Sequence, residues 1–440
     1  MDRPLTKNIT PGKQPFSLKQ YVQGGGYQSV VKAVGKMTPL EVQEEVRKSH
    51  LRGRGGAGFL TGMKWSFVPM GPGARRPKYL IVNADEMEPG TFKDRLLLEG
   101  DPHLLVEGVI TSAYALEAEI AYIFIRGEYT LAARRVQQAI EEARVAGYCG
   151  QGILGGNYSL DIRLHASAGR YMCGEETGLI NALEGRRAQP RTKPPYPQTS
   201  GLWGRPSVVN NVETLCNVPY IVTHGADAFK ALARSADAGT KLYGVSGRVN
   251  KPGLWELPIG TTARAILETY AGGMKDGLKV RGVLPGGAST PFLTDKDLDL
   301  PMDFTSMEKH GKRMGTGTMI VLDDKTCPVG FCLNLARFFA RESCGWCTPC
   351  REGLPWIAEL LGAIEAGRGA ADDLAMLDMH VSRIRPGHTF CALAPGAIDP
   401  IGTALQYFRD DFEAHVSQGR CPYGNPQSAI RNPQSAIMVS

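Results

Sequence analysis

Cys344, Cys347 and Cys350 form C-x2-C-x2-C inside ESCGWCTPCREG, and Cys391 follows 41 positions later in HTFCALAPG. Structural zinc usually takes two separated pairs of cysteines, each knuckle giving two ligands. Three cysteines at consecutive spacing plus one remote cysteine fit cuboidal iron–sulfur ligation better. There a compact loop wraps three corners and a distant residue supplies the last. The spacing therefore favours a [4Fe–4S] cluster over zinc, and over a chance arrangement. Gly345 and Pro349 suit a tight loop. The other six cysteines, Cys149, Cys173, Cys216, Cys327, Cys332 and Cys421, show no metal spacing and read as small buried hydrophobes. Cys173 is set apart because it sits inside a motif described below.

A second chemical signal is the glycine-rich stretch LRGRGGAGFLTGMKWSF, with G-x-G-x-x-G at Gly53, Gly55 and Gly58. The dinucleotide fingerprint needs a strand before it and a helix after it, whereas EVQEEVRKSH before it reads as helix. A Walker A loop fails as well, because Met63 follows Gly62 where lysine is required. What remains is a loop flanked by Arg52, Arg54 and Lys64, whose backbone amides can approach a planar or phosphorylated ligand without a Cβ in the way. An ordinary surface loop is the competing reading. Downstream, the strand-like YLIVN delivers Asn83, Asp85, Glu86 and Glu88 just past its carboxyl end, where open α/β sheets bind ligands. Glu175 and Glu176 stand near a helix N-terminus. They read either as acceptors for ribose hydroxyls or as plain helix caps.

These residues need elements to hold them. The chain has 440 residues, 42% hydrophobic and 21% charged, which is globular composition for two or three domains. No apolar run is long enough to span a membrane. The N-terminal MDRPLTKNITPGKQ lacks the apolar core of a secretory signal. A formal charge of +6, spread along the chain, does not argue for nucleic acid. Five zones follow. Residues 1–50 are an N-terminal segment with a short capped helix at LEVQEEVRKS. Residues 51–238 alternate strand-like YLIVNADE, YIFIRG and LDIRLHASAG with helical DRLLLEGDPHLLVEGVITSAYAL, TLAARRVQQAIEEARVAG and GEETGLINALEG, the pattern of an α/β layer on a mostly parallel sheet. A proline-rich loop occupies 187–206. Residues 239–326 carry short β signals around one helix, a small α+β unit of β-grasp size. Residues 327–420 repeat apolar residues at helical spacing and predict a helical bundle. Two helices fall between Cys350 and Cys391, so a helical hairpin brings the fourth thiol back to the other three. Residues 421–440, with a tandem NPQSAI, read as a disordered tail.

RGRGGAGF, NADEMEPGTFKDR, YMCGEETGLINALEG, PSVVNNVETLCNVP and ESCGWCTPCREG occur in this order. Together they resemble the flavoprotein, NADH-oxidising (51-kDa-type) subunit of NADH:quinone oxidoreductase, respiratory complex I, over residues of roughly 50–400. The resemblance implies an FMN- and NADH-binding nucleotide fold, then a β-grasp-like unit, then a helical bundle with one [4Fe–4S] cluster on Cys344, Cys347, Cys350 and Cys391. It implies FMN contacts from Gly53, Arg54, Gly55, Gly56, Gly58, Lys64, Asn83, Asp85, Glu86, Tyr171, Gly174, Glu175, Asn210, Asn211 and Thr214. NADH would meet the rings of Phe59 and Phe67, the carboxylates of Glu88 and Glu176, and Lys193 and Tyr196 on the adenine side. No side-chain acid or base is implied, since hydride passes directly to FMN.

The resemblance also implies a thioredoxin-like [2Fe–2S] subunit and a larger multi-cluster subunit as partners, in a peripheral position on the cytoplasmic side of a membrane-bound complex. Leu60 stands where this family usually has Pro, Tyr196 where Phe is usual, and Ala394-Pro395-Gly396 is less typical. The rival reading within the superfamily is the diaphorase subunit of an NAD-linked hydrogenase or formate dehydrogenase. A zinc-stabilised interaction module without redox activity would explain the cysteines but not the glycine loop or the acidic strand end.

Overall fold

The structure, a computed structural model, describes residues 2–424. Its first sheet is β1 (Tyr79–Ala84), β2 (Ile120–Ile125), β3 (Asp161–Ala166) and β4 (Ser207–Asn211), in the order β3-β2-β1-β4 and parallel throughout. β1 and β2 are almost continuously apolar and buried, as strands covered by helices on both faces must be. β4 is not among the strands that the sequence predicts. It is five residues long, ends on two asparagines and directly follows the proline-rich loop, so little periodicity betrays it.

The stretch DRLLLEGDPHLLVEGVITSAYAL is two helices, Lys93–Gly100 and Pro102–Leu116, rather than one. Pro102 keeps the preceding residue out of helical backbone. Asp101 accordingly takes φ −146° and caps the second helix by accepting from the Leu104 amide. The chain steps outward from β1 to β2 to β3, then returns to the other flank of β1 to form β4. The sheet's switch point therefore lies between β1 and β4, where open α/β sheets leave a crevice at their carboxyl ends.

The second sheet is mixed: β5 (Thr240–Ser246), β6 (Gly253–Pro258), β7 (Val280–Leu284) and β8 (Thr318–Asp323), in the order β6-β5-β8-β7. β5–β6 and β7–β8 are antiparallel and β5–β8 is parallel, in line with the β-grasp expectation. The helix expected at TTARAILETYAGG is one short α turn, Ala263–Ala265, running into a π turn at Ile266–Tyr270.

Among the described residues five longer helices follow, Pro328–Glu342, Gly353–Glu365, Ala371–Arg383, Leu393–Tyr407 and Arg409–Gln418, with the single turn Thr348–Arg351 between the first two. The fourth is hidden from a propensity reading by its prolines. Pro395 falls in the first turn, where no amide is needed for the helix ladder, and Pro400 is tolerated because Ala394, Ala397, Ile401, Ala404 and Leu405 are all buried. Together these helices enclose an apolar core that also takes in Leu284 of β7 and Leu322 of β8. Cys421 and Tyr423 still pack against that core; the rest of the expected tail, 425–440, lies outside the described residues. Among the described residues no helix is long and apolar enough to cross a membrane.

Candidate functional site

The glycine loop joins helix Pro39–Lys48 to helix Thr61–Ser66 and is pinned at its base by Gly53 N donating to Phe59 O (2.8 Å) and Thr61 N to Leu51 O (2.8 Å). It lies at the β1/β4 switch point. A Cβ on Gly55 would sit 3.2 Å from Asn211 Cβ, and Asn211 is the last residue of β4, paired with Asn83 in β1. Gly58 has φ +69°, and a Cβ there would fall 2.4 Å from the Phe304 ring, so this glycine is set by close packing as well as by backbone.

The flanking cations are committed inward. Arg54 is fully buried, with its guanidinium on the carbonyls of Ala238 (2.7 Å) and Thr240 (3.1 Å) and its amide donating to Thr214 Oγ1 (2.8 Å). Arg52 pairs with Asp237 (2.9 Å). The loop's outward offer is therefore backbone at Gly53, Gly55 and Gly56, with the exposed ring of Phe59 beside it.

Around the loop stand the expected polar residues. Asn83 Nδ2 donates to Cys173 O (3.1 Å), joining β1 to the turn Tyr171–Gly174. Asp85 accepts from Ser167 Oγ (2.7 Å) while its Oδ2 has no partner, and burial lifts its carboxyl to about 6. Glu86 faces the start of helix Lys93–Gly100. It accepts from the amides of Asp94 (2.8 Å) and Arg95 (3.1 Å) and from Tyr129 OH (3.0 Å); burial and Asp94 raise it to about 7. Asn210 accepts from Trp65 Nε1 (2.9 Å). Gly174 faces open space, so a ligand can come flush with its backbone. An orphaned carboxylate oxygen, a glycine edge free of neighbours and a strand-end crevice fit a flat ligand rich in hydrogen-bonding atoms, as FMN is.

Glu175 caps helix Glu176–Leu183 through the amides of Thr177 (2.8 Å) and Gly178 (2.7 Å), so the capping reading describes its contacts. Glu176 instead bridges Lys64 (2.6 Å) and Lys193 (2.8 Å). Burial would raise its carboxyl, but the two ammonium groups outweigh it and hold it below the usual range. Phe59, Phe67 and Tyr196 expose 51, 53 and 56% of their surface, unusual for side chains this apolar and suited to stacking. Glu88 takes hydrogen bonds from Tyr171 OH (2.6 Å) and the Ser289 amide (2.6 Å), which ties the first sheet to the loop after β7.

Sequence reasoning passed over the charges beneath this floor. Glu213 is completely buried between Lys93 (2.8 Å) and Lys241 (3.0 Å), and also accepts from the Leu242 amide (2.9 Å). Burial opposes its ionisation, yet Lys241, Lys93 and Arg54 hold it at about 2. Lys93 reaches Asn211 Oδ1 (3.3 Å), and Asp94 accepts from Asn211 Nδ2 (2.6 Å). Lys93, Asp94 and Glu213 all lie inside blocks that carry the family likeness, in NADEMEPGTFKDR and VVNNVET. The sequence names these residues but not their meeting with Lys241 of β5.

The four cysteines converge at the near end of the helical bundle. Cys344 and Cys350 are buried in its core and Cys347 and Cys391 pack against it. Phe390 N donates to Cys347 Sγ (3.4 Å), which docks the Cys391 segment on the loop, and Ser343 Oγ meets Cys350 Sγ (3.1 Å). Burial, with Cys344 and Cys350 adding to it, pushes the Cys391 thiol up to about 11. A metal centre offsets that penalty by stabilising thiolates. Three thiols on one short loop and a fourth from a distant segment suit a cuboidal cluster, as their spacing in the sequence does.

The turn Tyr171–Gly174 connects the two sites. Tyr171 donates its hydroxyl to Glu88 and its amide to Glu342 (3.2 Å), two residues before Cys344, while Arg187 donates to Cys344 O (2.7 Å).

Comparison with known proteins agrees with this layout. The Nuo51 FMN-binding domain matches residues 46–220, the SLBB domain 242–293, and the NADH-ubiquinone oxidoreductase-F iron-sulfur binding region 330–415. The chain is 54% identical over 422 residues to the NADH-quinone oxidoreductase F subunit of Salmonella typhimurium, covering 96% of this chain and 94% of the relative, and equally so to that of Escherichia coli K12. It is 51% identical over 406 residues to the corresponding F 2 subunit of Rhizobium meliloti, covering 92% and 96%. Among solved structures it resembles an NAD+-reducing [NiFe]-hydrogenase in the H2-reduced state, with TM-score 0.80 and 35% identity over 92% of this chain and 67% of that one.

Proposed function

The chain belongs to the family of NADH-quinone oxidoreductase F subunits, and from that premise we propose how its own residues divide the work of oxidising NADH and sending electrons onward one at a time. When bound, FMN takes two electrons from NADH as a hydride and a [4Fe–4S] cluster accepts them singly. The backbone of Gly53, Gly55, Gly56 and Gly58 would form the floor that holds FMN. Asn83, Asp85, Glu86, Gly174, Glu175, Asn210, Asn211 and Thr214 edge that floor. Arg54 and Tyr171 brace it, and Lys64 closes it beside Glu176. The free oxygen of Asp85 is an acceptor aimed for a ligand donor. Phe59 and Phe67 offer aromatic faces to NADH while Lys193 and Tyr196 cover its adenine side. Glu88 and Glu176 are its polar contacts. Stacking brings the reacting atoms into range, so the protein's part is positioning and exclusion of water. Cys344, Cys347, Cys350 and Cys391 hold the cluster, beyond Tyr171.

The observation that carries this reading is the glycine loop lying across the carboxyl ends of β1 and β4, with Gly55 against Asn211. A peripheral place on the cytoplasmic side of the membrane, beside a [2Fe–2S] subunit and a multi-cluster subunit, completes the proposal. The rival reading, a diaphorase subunit of an NAD-linked hydrogenase, has the 35% identical structural neighbour in its favour. The 54% identity to two NADH-quinone oxidoreductase F subunits, across almost their whole length, weighs more. An anaerobic absorbance spectrum taken before and after NADH tests the reading. Flavin and iron–sulfur bands that bleach together support it; a colourless, zinc-containing protein overturns it.

A further inference from the structure

We propose that Cys327, Glu365, His415 and Cys421 form a second metal site, separate from the cysteine loop and built for one zinc ion. One ligand atom from each of the four residues lies within 4.8 Å of the others. Cys327 Sγ is 3.1 Å from Glu365 Oε2 and 3.3 Å from His415 Nε2, and His415 Nε2 is 3.1 Å from Glu365 Oε2. A tetrahedral zinc with N and O ligands near 2.0 Å and sulfurs near 2.3 Å has edges of about 3.3–3.8 Å. The group thus already has nearly the size a zinc ion requires.

Independent details point to a ligand. Glu365 is 4% exposed, and its Oε2 faces both the Cys327 sulfur and His415 Nε2, so one buried carboxylate oxygen already sits where a cation would be bound. His415 is wholly buried and its Nδ1 lies 2.6 Å from the Asp411 carbonyl, which directs Nε2 at the site as a metal-binding tautomer. Cys327 caps helix Pro328–Glu342, and the Gly330 amide donates to its sulfur (3.3 Å), as amides do to metal thiolates. Cys421 is half-buried and gives the ion its way in.

The chemistry selects the ion. Two thiolates, one imidazole and one carboxylate are too soft for magnesium or calcium, and two sulfurs are too few to hold an iron–sulfur cube. Binding releases the two thiol protons, leaving histidine neutral. All four positions are filled by protein, so the ion is structural. It ties the start of helix Pro328–Glu342 to the end of helix Gly353–Glu365, to helix Arg409–Gln418 and to the chain that leaves it.

The test is metal analysis of the full-length holoprotein purified from zinc-supplemented cells, with Cys421→Ser and His415→Gln as variants. We expect about one zinc per chain besides the iron, a zinc X-ray absorption shell of two sulfurs and two nitrogen or oxygen atoms, and at least a fivefold loss of zinc in either variant with iron and flavin retained. Less than about a tenth of a zinc per chain would overturn the proposal. A four-sulfur shell, placing the zinc in the Cys344 loop, would do so too, as would a Cys327–Cys421 disulfide in non-reducing peptide mapping. The absorption shell of the unsubstituted protein decides the matter even where a variant fails to fold.

Discussion

Glu213→Gln removes the one carboxylate that Lys93 and Lys241 share at the junction of the two sheets. The amide can still accept from Leu242, but its NH2 is turned toward two buried ammonium groups, and Asp94 remains as an ion-pair partner of Lys93 only. Breaking a buried ion pair by removing one partner costs about 3–5 kcal/mol. Unfolding entropy of roughly 2.1 cal/mol/K per residue over 440 residues makes each degree of melting temperature worth about 0.9 kcal/mol in a single transition. The variant should melt about 3–5 °C lower by calorimetry and retain less flavin after gel filtration, because Lys93 and Asp94 hold Asn211. Adding Lys241→Met takes away one uncompensated charge and should restore about half of the loss, a coupling that a mutant cycle reads directly. A drop below 1 °C, or a double variant no better than the single one, would refute the claim that these charges depend on one another.

Three further outcomes are expected. Glu88→Gln and Glu176→Gln should lower NADH affinity and the rate of flavin reduction in stopped flow while flavin content stays near that of the parent; complete flavin loss in both would contradict their assignment to NADH. Cys391→Ser should remove the cluster's iron and its electron paramagnetic resonance signal yet leave flavin reduction by NADH intact, and full iron content would unseat Cys391 as a ligand. Glu256 accepts from the amides of Leu5 and Thr6 and from Thr240 Oγ1, and burial raises it to about 7. A carboxyl whose folded pKa exceeds its unfolded value of about 4.5 gives stability that is lost as pH rises between the two, here up to about 3 kcal/mol. Melting curves of Glu256→Gln should therefore fall less between pH 5 and 8 than those of the parent, and identical slopes would remove this group from the account.

The legible parts of the fold are those with strong local signatures. β1 and β2 are buried apolar runs, and helix Thr130–Val145 shows its face in its periodicity. β4 and helix Leu393–Tyr407 escape because tertiary burial overrides their local signals, two asparagines in one and two prolines in the other. The spacing of Cys344, Cys347 and Cys350 is legible as a metal motif, since three thiols on one short loop are a local pattern. What spacing cannot announce is a constellation drawn from distant segments. Glu213 meets Lys241 across the junction between the sheets. Cys327 and Cys421, which read from the sequence as small hydrophobes, face Glu365 and His415 in a polar group.

The turn Tyr171–Gly174 shows why the two sites must move as one. Its tyrosine hydroxyl is held by Glu88, at the strand-end crevice, and its amide by Glu342, at the last turn of the helix that leads into Cys344. Glu88 is anchored in turn to the Ser289 amide, so residues from both sheets and the bundle meet at one side chain. Electron transfer weakens steeply with separation, and a crevice and a cysteine loop on independently mobile units would let that separation wander. Two hydrogen bonds on one residue restrain it. Tyr171 also packs against the core of the bundle whose first helix ends at Glu342, so side chains that need touch no ligand set the distance between the two candidate sites.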